Sequence, residues 1–324
     1  MFATWKYTLR RLLIPTLCWG AVLFGTAFLV VFSFDYMIGK NQQLLIDLIG
    51  SLPPPMQAIV GNAEQFATPK GFLDAKFFVQ SGLLLGIYAV LSGSGLLASD
   101  EENGRLDLLA SYPVSRRGLF WGRTIGLVTS LTTVVILAWL GLVTALPLTQ
   151  LDISPLDLGL GCVTLLALAL VYASMALLFS LLLPSRRVAS AAAGLLLFGS
   201  FLLALLAPAI DFVRSVHTWL PFRYYQGGKA MTELDAGSLL VLLSLTAVEL
   251  LAAWWLFERR DIRVMGEGIL NLKRVTLGLV VCVVVYTAIV GPAVRWKGWD
   301  TPPASPVDLL EDSAIPLEGL LPKR

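Results

Sequence analysis

No charged residue interrupts the stretch Leu158–Ser185, whose sequence is LGLGCVTLLALALVYASMALLFSLLLPS. This length exceeds the roughly 20 apolar residues that a bilayer-spanning helix requires. The stretch therefore predicts a transmembrane helix.

Five more charge-free runs and one nearly charge-free run have comparable lengths. Glu249 is the single acid in the last of these, Ala236–Phe257. Strict apolar–polar alternation, which is typical of a membrane β-barrel, is absent. The pattern predicts seven transmembrane helices in all, and the further runs are Leu12–Phe34, Phe77–Ser99, Thr124–Leu151, Val188–Ile210, Ala236–Phe257 and Val275–Val294.

The composition agrees with an all-α polytopic membrane protein. Hydrophobic residues make up 56% of the 324 residues, charged residues make up 14%, and the mean hydropathy is +0.77. A soluble domain carries about 25% charged residues. The net charge of only +2 argues against a nucleic-acid-binding surface. The three cysteines show neither metal-ligand spacing nor a disulfide framework.

The N-terminal segment 1–11 precedes the first run and carries an apolar stripe of Phe2, Trp5 and Leu9, with Leu12 continuing it. This spacing predicts a short helix in the headgroup region, with anchoring alone as the simpler interpretation of its role. The run Leu12–Phe34 is longer than the core of a signal peptide, so we interpret it as a retained helix.

The distribution of basic residues predicts the orientation of the chain. With the N-terminus in the cytoplasm, the inside segments hold 14 Lys and Arg in 57 positions, and the outside segments hold 10 in 112. Because Lys and Arg are enriched in cytoplasmic loops, this bias favours N-in. Seven spans would then place the C-terminal tail, residues 295–324, outside.

The loop 99–123 between the second and third runs carries the most specific pattern, SDEENGRLDLLASYPVSRRGLFWGR. The loop begins with acidic residues, and the apolar residues after them are spaced as on one face of a short helix. Pro113 ends this predicted helix, because the residue before proline avoids helical geometry. Ser115 is the predicted N-cap of the next helix. A short helix with an apolar face and charged ends would suit a groove on a partner protein, and a solvated loop that obeys the charge bias is the alternative.

This loop resembles the first cytoplasmic loop of ABC-2-type transporter permeases. Three other parts of the chain are also similar to the family. Leu52–Gly61 with Thr68–Phe72 resembles its first external loop, and Trp219–Tyr225 resembles the segment before its last core helix. Phe257–Ile262 resembles the basic end of that helix. The similarity covers roughly residues 1–263. It implies a six-helix ABC-2-type core within 12–263. The predicted extra span within 264–294 and the tail depart from the family pattern.

The resemblance implies that the loop docks on an ATP-binding-cassette ATPase through a coupling helix. The residues that it assigns to this contact are Glu101, Glu102, Gly104, Arg105, Leu108, Leu109, Pro113, Arg116 and Arg117. It also implies two ATPase copies, a second permease subunit (identical or different), surrounding lipid, and the bacterial cytoplasmic membrane.

The chain contains no Gly-x-x-x-x-Gly-Lys-Ser/Thr phosphate-binding loop. An ATP-driven transporter built on it therefore needs an ATPase in trans, which would bind the ATP and Mg. We expect no catalytic residue, metal or cofactor in the chain itself. The expected function is the permease subunit of an exporter, and the alternatives are an ion- or proton-coupled transporter acting alone or a membrane scaffold subunit.

Two further polar residues are candidates. Glu249 lies inside a predicted span, where it could line a translocation path or carry a proton. The alternative is a structural hydrogen bond to a neighbouring helix. The only histidine, His217, is expected on the surface of an external interfacial helix whose apolar face carries Phe212, Val216 and Trp219.

Overall fold

The computed structural model describes residues 1–35, 51, 68–97, 115–149, 151–183, 185–259, 286–288 and 290–292. These parts are mainly helical and contain no strand. Six helices among them are long and apolar enough to cross a membrane. The prediction of an all-α polytopic membrane protein is confirmed.

The six spans correspond to six of the seven predicted runs. Two short α-helices accompany them, one at the start of the second span and one between the fifth and sixth spans. The helices are α1 Phe2–Phe34, α2 Pro69–Leu73, α3 Val79–Ser94, α4 Arg116–Ala145, α5 Pro155–Leu182, α6 Arg186–Leu206, α7 Asp211–His217 and α8 Ala236–Arg259. A π-helix, Asp74–Phe78, joins α2 to α3, so that Pro69–Ser94 forms one span.

Hydroxyl side chains begin four of these helices. The Oγ atoms of Ser115, Ser154 and Ser185 accept hydrogen bonds from backbone N–H groups in the first turns of α4, α5 and α6. Thr68 caps α2 in the same way. Such caps satisfy N–H groups that have no partner within the helix. The predicted N-cap at Ser115 is confirmed, with its Oγ 3.1 Å from the Gly118 nitrogen.

Consecutive spans run in opposite directions, so each end of the bundle collects alternate helix termini. At one end, which we call the Arg end, α1, α4 and α6 begin and α3, α5 and α8 end. The opposite end carries α7 and is called the His217 end. Contacts across each end support this arrangement, since Arg11 approaches Gly95 at the Arg end and Lys70 pairs with Asp157 at the His217 end.

The helix α5 forms the centre of the bundle. It is the most buried of the six spans, with 78% of its most apolar window inside the protein, and it contacts α3, α4, α6 and α8. Only 22% of the corresponding windows of α6 and α8 is buried. The other described residues therefore leave most of the surface of these two helices uncovered.

The first helix packs along α4 through small residues. A Cβ atom added at Gly126 would lie 2.8 Å from Thr8, and one at Gly141 would lie 2.5 Å from the Phe24 carbonyl oxygen. Small residues allow membrane helices to approach this closely. The predicted separate helix at residues 1–11 is the first part of α1, which continues to Phe34 without a break; its position in the headgroups stays a prediction.

The second span begins at Pro69, eight residues before the predicted start at Phe77. The prediction missed these turns because charged residues interrupt the apolar run there. Two of these charged residues have partners in the structure. Lys70 Nζ lies 3.1 Å from Asp157 Oδ2, and Asp74 Oδ1 accepts a 2.7 Å hydrogen bond from the Gly228 nitrogen.

The predicted seventh span lies mostly outside the described residues. Residues 286–288 and 290–292 within it are helical. The tail from Arg295 onward lies wholly outside the described residues.

Candidate functional site

The predicted ATPase-coupling residues fall into two groups. Residues 98–114 lie outside the described residues, and this range includes Glu101, Glu102, Gly104, Arg105, Leu108, Leu109 and Pro113. Their assignment stays a prediction. Arg116 and Arg117 are described and form the first turn of α4.

Arg116 and Arg117 join the start of α4 to the end of α8. Arg117 Nε lies 3.1 Å from Glu258 Oε1, and its guanidinium lies 5.7 Å from the centre of the Trp254 ring. Arg116 Nη1 donates to the Glu258 carbonyl oxygen at 3.5 Å. The Arg117 side chain is 70% exposed, so the ion pair stabilises the fold little. These two residues remain accessible at the Arg end, where the predicted coupling loop rejoins the bundle.

Three further arginines converge on the end of α3, where the chain leaves for the predicted coupling loop. Arg123 of α4 is 2% exposed and donates a 2.8 Å hydrogen bond to the Leu96 carbonyl oxygen. Arg11 of α1 donates to the Gly95 carbonyl oxygen at 3.4 Å. The guanidinium of Arg186, from α6, packs so closely that a Cβ atom at Gly95 would lie 2.9 Å from its Nη2.

This arginine cluster (Arg11, Arg123 and Arg186) suits the electrostatics of a helix end. The last carbonyl groups of a helix lack intrahelical partners and carry partial negative charge. Guanidinium groups from three other helices therefore stabilise the end of α3 and tie it to α1, α4 and α6. A cleft of about 280 Å³ borders the cluster.

A buried hydroxyl cluster joins α1, α3 and α4 deeper in the bundle. Thr16 Oγ1 lies 3.0 Å from the Tyr88 hydroxyl and 2.6 Å from Ser130 Oγ, and the last two oxygens lie 2.5 Å apart. Satisfied hydroxyl groups of this kind bridge membrane helices. The connection between α3 and the α1–α4 pair therefore continues into the membrane from the arginine cluster.

Glu249 lies on α8 and faces α5. Its Oε2 accepts a 2.5 Å hydrogen bond from Ser174 Oγ, and Ser174 is buried. This contact provides the polar neighbour that the structural interpretation of Glu249 requires. The predicted role of Glu249 in a translocation path stays a prediction.

The segment between α6 and α8 covers the His217 end. Phe212, Val216 and Trp219 are exposed, as predicted for an interfacial helix. The prediction that His217 lies on the surface is wrong, because it is only 7% exposed. His217 follows Val213 by four residues, so the two share the face of α7 that packs inward.

Comparison with known proteins identifies the family. The family model described as ABC-2 family transporter protein matches residues 21–262, well over half of the chain. The chain belongs to the ABC-2 family of transporters. A comparison with curated protein sequences found no match.

The matched range contains the second to sixth spans and residues 21–34 of α1. It ends three residues after α8, which agrees with the limit at residue 263 that the sequence resemblance indicated. As an ABC-2 permease, the chain is a multi-pass membrane subunit of an ABC transporter, and this family works with an ATP-binding-cassette ATPase and has no ATPase site of its own.

The sequence pattern pointed to one member of the arginine cluster. Arg123 belongs to the loop pattern through which this ABC-2 permease resembles its family. Arg11 and Arg186 appeared only as part of the general excess of basic residues. Their convergence on Gly95 depends on the packing of α1 and α6 against α3, which no local pattern encodes.

Proposed function

We propose that this ABC-2 permease couples ATP hydrolysis by a separate ATPase to the export of a substrate. Two permease subunits and two ATPase subunits would form the transporter, with ATP and Mg bound by the ATPases. The proposed orientation places the Arg end in the cytoplasm of a bacterial cell, facing the ATPases.

The observation that carries this proposal is the arginine cluster at the end of α3. The chain that follows Leu97 is the predicted coupling loop, so a force on that loop acts first on the last turn of α3. Because Arg11, Arg123 and Arg186 bind or pack against this turn, the force would reach α1, α4 and α6 together.

Close backbone packing would carry the same displacement to the centre of the bundle. A Cβ atom at Gly93 would lie only 2.3 Å from the Ala173 carbonyl oxygen, so the last turns of α3 lie directly against α5. Packed interiors transmit displacements rather than absorb them. The end of α3 is therefore a suitable input point for ATP-driven rearrangement of the spans.

The test is to weaken the predicted docking residues and measure the complex. Replacing Glu101 and Leu109 with Ala should reduce copurification of the ATPase and its stimulation by substrate. Glu233→Ala and Leu240→Ala are matched controls, since Glu233 is an exposed acid at the His217 end and Leu240 is 65% exposed on α8. Normal assembly and transport in the Glu101→Ala/Leu109→Ala variant would overturn the coupling assignment.

A further inference from the structure

A cleft of about 380 Å³ opens at the His217 end of the bundle. The last two turns of α6 form one wall, and residues 214–229 form the other. The start of the second span closes it with Asp74 and Val79. The cleft lies at the level where the apolar helix α6 ends and the apolar helix α8 begins, so we expect the lipid headgroups at this level.

The charge of the cleft is predominantly positive. Arg214, Arg223 and Lys229 line it, and Asp74 is the one acidic residue among the described residues of its lining. The Asp74 carboxylate already accepts the hydrogen bond from the Gly228 nitrogen. The described lining residues of the cleft therefore comprise three basic side chains and one carboxyl group, and that carboxyl group interacts electrostatically with Lys229.

His217 adds a buried polar atom to the same cleft. Its Nε2 is buried and has no hydrogen-bond partner among the described residues. Burial, together with the positive charge of Arg223, lowers the pKa of His217 to about 4, so the imidazole is neutral at pH 7. A buried polar atom without a partner is uncommon in native proteins and calls for an explanation. An oxygen-rich ligand in the cleft would supply the missing partner.

The wall from α6 is apolar and continues onto an exposed apolar surface of the same helix. Phe201, Ala204 and Leu205 line the cleft, while Leu202 and Leu206 of the same helix are 40% and 37% exposed. An acyl chain from the bilayer could therefore lie along α6 while its headgroup enters the cleft. This combination of an apolar wall and basic residues matches an amphiphile with a negatively charged head.

We propose that this cleft binds one anionic membrane phospholipid, with its phosphate among Arg214, Arg223 and Lys229 and its acyl chain along α6. The site requires only that the bundle spans a membrane. It is independent of how the transporter is driven and of the direction of transport.

The experiment uses the full-length chain in nanodiscs that contain equal amounts of phosphatidylglycerol and phosphatidylcholine. Native mass spectrometry counts the molecules of each lipid that remain bound after the disc is removed. The wild-type chain should retain phosphatidylglycerol in preference to phosphatidylcholine. Each basic side chain near a headgroup changes affinity for an anionic lipid about fivefold, so the Arg223→Gln/Lys229→Gln variant should lose most of this preference.

Three further measurements distinguish a phospholipid site in this cleft from general attraction to basic residues and from a site for soluble phosphate. Lys76→Gln removes a basic residue at the same end but outside the cleft lining, and it should keep the wild-type preference. Ala204→Trp fills the apolar wall without changing the charge, and it should reduce phosphatidylglycerol retention. Glycerol 3-phosphate, which has the headgroup phosphate but no acyl chain, should not displace the retained lipid.

The thermal unfolding midpoint of each variant, compared with that of the wild-type chain, verifies that it folds. If a variant does not fold, Arg214→Gln, at an exposed position, is used in its place. Equal retention of the two lipids by the wild-type chain would overturn the proposal. An unchanged preference in the Arg223→Gln/Lys229→Gln variant would also overturn it. Displacement by glycerol 3-phosphate would show a site for soluble phosphate and would refute the role of the acyl chain.

Discussion

Substituting Gly93 with Ala should destabilise the bundle by forcing α3 away from α5. The added Cβ would lie 2.3 Å from the Ala173 carbonyl oxygen, whereas ordinary contact begins at 3.4 Å. The helices must therefore separate by about 1 Å at this point. The obstacle is backbone, which cannot rotate out of the way as a side chain could.

Overpacking of this kind costs about 1–3 kcal/mol. At about 2–4 °C per kcal/mol, the thermal midpoint should fall by about 2–12 °C. Because the same turn of α3 leads to the arginine cluster, ATP-driven transport should fall as well.

The assay is the thermal unfolding midpoint of the purified chain in detergent, compared with that of Gly194→Ala. Gly194 lies inside α6, and a Cβ atom there meets nothing within 4 Å. Alanine favours helix over glycine by about 1 kcal/mol, so the control should be neutral or slightly stabilised. Equal midpoints for the two variants would refute the close approach of α3 to α5.

Three other predictions concern single polar side chains. Arg123→Gln should leave ATPase copurification intact but lower the amount of substrate transported per ATP hydrolysed. The reason is the loss of the charged hydrogen bond to the Leu96 carbonyl oxygen, which is worth about 1.5–3 kcal/mol. The control is Arg187→Gln, at an exposed position beyond the cluster. Glu249→Gln should keep ATP-driven transport, since its amide oxygen can still accept from Ser174, and loss of transport in this variant would instead indicate that the ionisable carboxyl group is required. His217 should make the stability of the fold depend on pH, because its pKa is lowered from 6.5 to about 4 in the folded chain. Between these two pH values the unfolded chain binds a proton that the folded chain does not. The free energy of unfolding should therefore fall by up to about 3 kcal/mol as the pH drops from 6.5 to 4. The measurement is the thermal midpoint across this range, and a curve of the same shape for His217→Gln would contradict the assignment to His217.

The transmembrane helices were predictable because a span requires a long run of uncharged residues, and such runs are visible in sequence. The start of the second span was missed for the same physical reason. Lys70 and Asp74 interrupt the apolar run, and the sequence alone does not reveal that Asp157 and Gly228 accompany them in the fold.

The candidate site was predictable where a local pattern exists. The N-cap at Ser115 depends on neighbouring residues and was confirmed. The arginine cluster depends on the meeting of Arg11, Arg123 and Arg186, which are far apart in sequence. His217 was placed on the wrong face of its helix because only the packing of α7 decides which side is covered.

The most direct test of the proposed coupling is a site-specific cross-link between the loop and the ATPase. A photoreactive residue at position 109 should cross-link to the ATPase in the assembled transporter, and the yield should change when ATP binds. The same residue at position 240, on the outward surface of α8 at the other end of the bundle, should give no such product. Absence of a cross-link from position 109, or an equal yield from position 240, would contradict the account.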